Sequence, residues 1–162
     1  MKKVCFAAFV LCALSSVALA DEVGDPDLKI KMDTPAGYKM EKQGENKIIL
    51  TDPKDEVQFF LIKAADQKAA DAALGEFEQS LKTAIPDLHP TMKPATGKQN
   101  GMDAVHMKME GTTTAKDATK IAVVIYKTPS GKFLIVAGAV KAKALGAHAA
   151  EVKKFIDSIR PI

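Results

Sequence analysis

The chain has 162 residues, 47% of them apolar and 27% charged, with 23 basic and 20 acidic side chains and a formal net charge of +3. This composition suits a packed domain and excludes a disordered or collagen-like chain. The 2 cysteines, Cys5 and Cys12, both lie near the start, so the chain from Asp21 onward has no disulfide, thiolate metal site or cysteine nucleophile.

Lys2 and Lys3 precede an apolar stretch from Val4 to Leu14 and the triplet Ala18-Leu19-Ala20. A charged start, a short apolar run and a small-residue cleavage pattern predict a secretory signal peptide over residues 1–20, cleaved after Ala20. A retained anchor fits less well, because the run falls short of the roughly 20 apolar residues that span a bilayer. Leu11 before Cys12 and Val4 before Cys5 do not suit lipidation. The expected location is periplasmic or secreted. Removing Lys2 and Lys3 leaves a net charge of +1 against the 20 acids. Near-neutrality argues against nucleic acid as a partner.

Residues 21–27 hold Asp21, Glu22, Asp25 and Asp27 with Gly24 and Pro26, which predicts a flexible N-terminal arm. A single domain is expected over 28–162. Leu28 to Met32 alternates with period 2 and reads as a strand. Tyr38 to Gln43, Lys47 to Thr51 and Val57 to Ile62 follow, separated by turn residues in the manner of an antiparallel meander. Asp66 is placed to cap a helix whose apolar face is Ala70, Ala73, Leu74, Phe77, Leu81 and Ile85, with Pro86 as its stop.

Beyond the helix, Pro90 and Pro94 demote residues 91–98 to an edge strand, and Asn100-Gly101 predicts a tight type I′ hairpin into Met102 to Glu110. Residues 111–120 read as a mobile loop or a twisted strand end. Ile121 to Tyr126 and Phe133 to Ala137 flank a turn at Thr128 to Gly131 and are apolar on both faces, so both faces should be covered. A last helix is expected over about 142–159, on the stripe Leu145, Ala149, Val152, Phe155, Ile156 and Ile159, with Pro161 as its exit. These elements predict an α+β fold: an α/β/α sandwich with a central, mainly antiparallel sheet and two principal helices.

The stretch from Met32 to Tyr38 (MDTPAGY), the hairpin at 120–140 and the closing Phe155 to Ile159 resemble the PsbP-like fold, and in particular small exported bacterial DcrB-like proteins. Tyr38 stands where many such proteins carry tryptophan. The resemblance covers roughly residues 28–160 as a pattern and implies a binding or assembly role, with no catalytic residue to carry over.

The most suggestive chemistry is His106, Met107 and Met109, with Met92 and Met102 nearby, because thioether and imidazole donors suit copper. On one strand Met107 and Met109 point to one face and Met102 and His106 to the other, so core filling by methionine is the preferred reading. His89 and His148 are isolated in sequence and read as surface or structural histidines. Adjacent acids such as Asp55 and Glu56 would point apart on a strand. Lys116, Lys120, Lys127, Lys132, Lys141 and Lys143 read as solvated lysines rather than an anion-binding patch. No nucleophile elbow, P-loop, zinc-protease or dinucleotide motif occurs in the sequence. The expectation is an exported non-catalytic binding or accessory protein for a protein or envelope component, without a cofactor. The alternative is a small-ligand or copper-type metal carrier using the hairpin at 91–110.

Overall fold

The computed structural model describes residues 21–162; the signal peptide read over 1–20 lies outside them. The chain begins with β1 (Glu22–Asp25) and β2 (Ile30–Asp33), then β3 (Lys39–Gln43), β4 (Lys47–Thr51) and β5 (Val57–Ala64). Helix α1 (Gln67–Ala84) leads to β6 (His89–Gln99), β7 (Met102–Thr112), β8 (Ala118–Lys127) and β9 (Phe133–Lys141). A 3₁₀ turn (Ala142–Ala144), α2 (Leu145–Ser158) and β10 (Arg160–Pro161) complete it. Strands β3 to β9 form a seven-stranded sheet in the order β3-β4-β5-β9-β8-β7-β6, and β1-β2-β10 form a second sheet. All pairings are antiparallel.

The central hairpin β8–β9 is covered on both faces. On one, Ile121, Val123, Ile135 and Ala137 pack with Phe77, Leu81 and Ile85 of α1 and its C-cap. On the other, Val124, Tyr126, Leu134 and Val136 pack with Phe155 and Ile159 at the end of α2 and with Ile30 and Met32 of β2. Removing such a side chain from water is worth roughly 1.5–3 kcal/mol, which is why the two-sided apolar pattern dictates the layering. The rings of Phe59 and Phe155 pack at a tilt with centroids 4.3 Å apart. Gly138 makes room for them, since a Cβ there would lie 3.2 Å from the Phe59 ring.

The expected cap holds: the Asp66 carboxylate accepts the Ala69 amide at 2.8 Å. Strand β6 is an edge strand whose register shifts between Pro90 and Met92 and again between Met92 and Ala95, next to its two prolines. Asn100 and Gly101 take φ of 52° and 83°, as a type I′ turn requires.

One expectation needs correction, and two are made more definite. Residues 21–27 are not a free arm, because β1 pairs along β2. The acids expected to seek water meet cations instead: Glu22 pairs with Lys31 at 3.1 Å and Arg160 at 2.6 Å, and Asp25 with Lys63 at 2.5 Å. Of the two readings of residues 111–120, the strand end is the one found: β7 and β8 stay paired from Asp103↔Lys127 to Thr112↔Ala118, and a turn spans the residues between. Finally, Pro161 lies just beyond the helix as expected: α2 stops at Ser158, and Arg160–Pro161 pair with β2, where a proline is tolerated at the sheet edge.

Strand β7 reaches both helix C-termini. At its start, the Asn100 side-chain amide donates to the carbonyls of Asp157 at 2.9 Å and Ile159 at 2.6 Å. At its end, the Thr112 amide donates to the Asp87 carboxylate at 2.5 Å and the Thr114 amide to the Ala84 carbonyl at 3.0 Å. That backbone bond to Thr112 holds the Asp87 carboxyl below the usual carboxylate range. Gly111 permits this approach, since a Cβ there would lie 2.4 Å from Ile85 Cγ2 and 3.1 Å from the Leu88 Cα.

Two substitutions test this docking. Asn100→Gly keeps the positive φ but removes the cap and should cost about 1 kcal/mol in urea unfolding. Gly111→Ala should cost about 1–3 kcal/mol through overpacking against backbone that cannot move aside; an unchanged urea midpoint would refute the close approach.

Candidate functional site

The residues expected from sequence to hold a metal are divided between the two cores. Met109, 8% exposed, and Met107 pack in the α1-side core. Met102, 3% exposed, lies in the α2-side core. His106 is partly buried and stands between Ala95 and Val124, while Met92 lies opposite Lys108. Alternation along the strand therefore separates the thioethers of Met107 and Met109 from His106. His89 is exposed, with Nδ1 2.9 Å from the Asp87 carbonyl and Nε2 3.6 Å from Glu110. The lysines do not form one patch: Lys132 pairs with Asp27, Lys141 with Asp55 and Asp117, and Lys143 with Asp117.

A wide opening arises from how α1 sits on the sheet. The helix packs on β5 and β9, beside rather than over β4. Small residues on this flank (Ala69, Ala72, Ala73 and Ser80) stand back from the strands. A cleft of about 590 Å³ results, floored by Ile62 and Phe77 and rimmed by Lys47, Lys63 and Glu76. A second cleft, of about 340 Å³, continues past Phe77 and Ser80 over Phe60, Leu81 and Ala139. Lys47 borders both, with its ammonium 5.8 Å from the Phe60 ring centroid. Together they make a trough along α1, whose 18 residues extend about 27 Å.

On the opposite side of the sheet, a cluster of ionisable groups links α2 to the β4–β5 turn. His148 Nδ1 lies 2.8 Å from Glu151 and Nε2 3.4 Å from Glu56. Asp52 is buried beside them, and its carboxylate accepts the amides of Glu56 at 2.6 Å, Val57 at 2.7 Å and Lys54 at 3.0 Å. These backbone bonds overcome the cost of burial and keep the Asp52 carboxyl below its usual range. Glu151 above all, and then Glu56, push the His148 pKa up. Burial raises the Tyr38 hydroxyl pKa, reinforced by the charge of Glu151, and the hydroxyl is shielded from solvent. Sequence reading took His148 as isolated. The spacing to Glu151 at i+3 was legible on a helix, but the approach of Glu56 depends on tertiary structure.

No family model matches the chain, and no curated protein matches its sequence. Solved structures do match. The solution structure of cyanobacterial PsbP (CyanoP) from Synechocystis sp. PCC 6803 aligns with a TM-score of 0.65, covering 93% of this chain and 97% of that one at 9% identity. The fold is PsbP-like. The Saccharomyces cerevisiae Ran-binding protein Mog1p aligns at 0.55, with 10% identity over 88% of this chain and 95% of its own. LpqN of Mycobacterium tuberculosis, described as involved in cell envelope biogenesis, aligns at 0.52, with 14% identity over 87% and 90%. At these identities the likeness establishes the fold alone. The narrower likeness to DcrB-like proteins rests on sequence pattern.

The core placement of the methionines gives a test. Met107→Leu and Met109→Leu should each cost less than about 1.5 kcal/mol in urea unfolding, as volume-conserving core swaps do. Copper that raises the urea midpoint of the parent but of neither variant would return the thioethers to a ligand role.

Proposed function

We propose that the chain is an exported, non-catalytic binding module and that the trough beside α1 receives an extended apolar segment of a protein partner. The observation that carries this reading is the trough itself. It joins an apolar floor of Phe60, Ile62, Phe77 and Leu81 to a charged rim, the anatomy of a protein interface. Its length suits several residues of extended chain at about 3.3 Å each. Two fold neighbours bear on the partner class: Mog1p is described as Ran-binding, and LpqN as acting in cell envelope biogenesis. The leader pattern at 1–20 supports an envelope or secreted setting. Among the described residues no helix is long and apolar enough to cross a membrane.

The test uses a photo-crosslinking residue at Ser80, in the trough, and at Lys153, on α2. In intact cells of the source organism, Ser80 should yield a discrete protein adduct and Lys153 should not. Ala72→Trp, which fills the cleft from an exposed helix position, should reduce that adduct at least tenfold without shifting thermal unfolding. Equal adducts at the two positions, or an adduct indifferent to Ala72→Trp, would overturn the trough as the docking surface. The mass of the recovered chain tests export separately, with Asp21 expected as the first residue.

A further inference from the structure

The cluster at the junction of α2 and the β4–β5 turn meets the trough only at Glu56, which also borders the second cleft, and a cation held there does not depend on the docking reading above. Its geometry poses a question of charge. Asp52, Glu56 and Glu151 bring three carboxylates to one imidazole, so the group stays negative even when His148 is protonated. Lys141, whose backbone amide donates a hydrogen bond to the Glu56 carbonyl, directs its ammonium to Asp55 and Asp117. Burial makes such an excess costly, because Asp52 is 5% exposed.

The two ring nitrogens of His148 are held differently. Nδ1 is 2.8 Å from Glu151, the length of a charge-assisted hydrogen bond. That bond places the proton on Nδ1 and turns the Nε2 lone pair toward Glu56. A second charge-assisted bond would draw Nε2 and the carboxylate to about 2.7–2.9 Å, yet they stand 3.4 Å apart. Ligand bonds of about 2.0–2.2 Å in tetrahedral array put neighbouring donor atoms about 3.4 Å from each other. Donor atoms of Asp52, Glu56 and His148 all lie within 4.8 Å of one another. Glu151 then has the position of the outer carboxylate that orients a metal-binding histidine, and the backbone amides on Asp52 orient that carboxylate in the same way.

We propose that Asp52, Glu56 and His148 form a binding site for a divalent cation of the zinc type, with Glu151 positioning the imidazole. One imidazole with carboxylates favours Zn²⁺, Co²⁺ or Ni²⁺ over the oxygen-only preference of Ca²⁺ and Mg²⁺, and the site offers no sulfur for Cu(I). An ion can enter from solvent, because the side chains of His148 and Glu56 remain 18% and 26% exposed. The cation would join α2 to the β4–β5 turn across 92 residues of sequence.

The experiment is isothermal titration of the purified chain, free of any histidine tag and stripped with chelator, against zinc chloride. One ion should bind per chain. His148→Gln and Glu56→Gln should each weaken binding at least tenfold, and Glu151→Gln about tenfold. His89→Gln and His106→Gln should leave it unchanged. Circular dichroism checks that each variant folds, and Glu56→Gln, at a partly exposed position, carries the test if His148→Gln does not. As an independent readout, zinc should raise the thermal midpoint of the parent and not of Glu56→Gln. The proposal is overturned by absent saturable binding, by binding that survives both ligand substitutions, or by binding that follows His89 or His106. Saturable uptake of calcium in preference to zinc would overturn the assigned cation class.

Discussion

Strands β8 and β9 carry apolar side chains on both faces, and water can be kept from both only by two separate covers. Tyr126, Ile135, Val136 and Ala137 are each 0% exposed, although successive residues along a strand look in opposite directions. Helix α1 supplies one cover. Helix α2, with the small sheet of β1, β2 and β10, supplies the other. The remaining strands extend this pair outward and become more polar with distance, so that β3 at one edge is exposed along its length.

The two covers are unequal, and their inequality creates both functional surfaces. Helix α1 lies across β5 and β9 with alanines on its β4 flank, which leaves the trough. Helix α2 is anchored by Phe155 at one end, while its other half carries His148 and Glu151 to the β4–β5 turn. The ionisable cluster therefore falls where the apolar stripe on α2 gives way to polar contact with a loop. Packing fixes the helix, and the helix brings the imidazole to the carboxylates.

Much of this fold was legible because its signals are local. Asp66 followed by an apolar stripe ending at Pro86 specifies α1 by capping and periodicity alone. Asn100-Gly101 specifies its turn through the positive φ that only a few residues tolerate. The double-sided pattern of β8 and β9 located the centre of the sheet. The errors arose where a segment takes its structure from distant partners. Residues 22–25 are acidic and read as solvated, yet Lys31, Lys63 and Arg160 neutralise two of those acids and β2 supplies the backbone partner. The candidate site followed the same rule. Alternation correctly separated Met107 and Met109 from His106, whereas Glu56 and His148 share no local pattern. The trough was equally hidden, since it depends on where α1 lies across the strands.

The small sheet also determines how the module can be attached to anything else. Residue 22 pairs with 33, Arg160 pairs with Lys31, and the Ile162 amide reaches the Lys29 carbonyl at 3.1 Å. The first and last described strands thus flank the same β2, on the α2 side of the seven-stranded sheet. A tether, a fused label or an immobilising surface joined at either position would meet the molecule from that side. The opposite face, with α1 and its trough, would remain turned outward, and the two attachment points could be exchanged with little change in how it is presented.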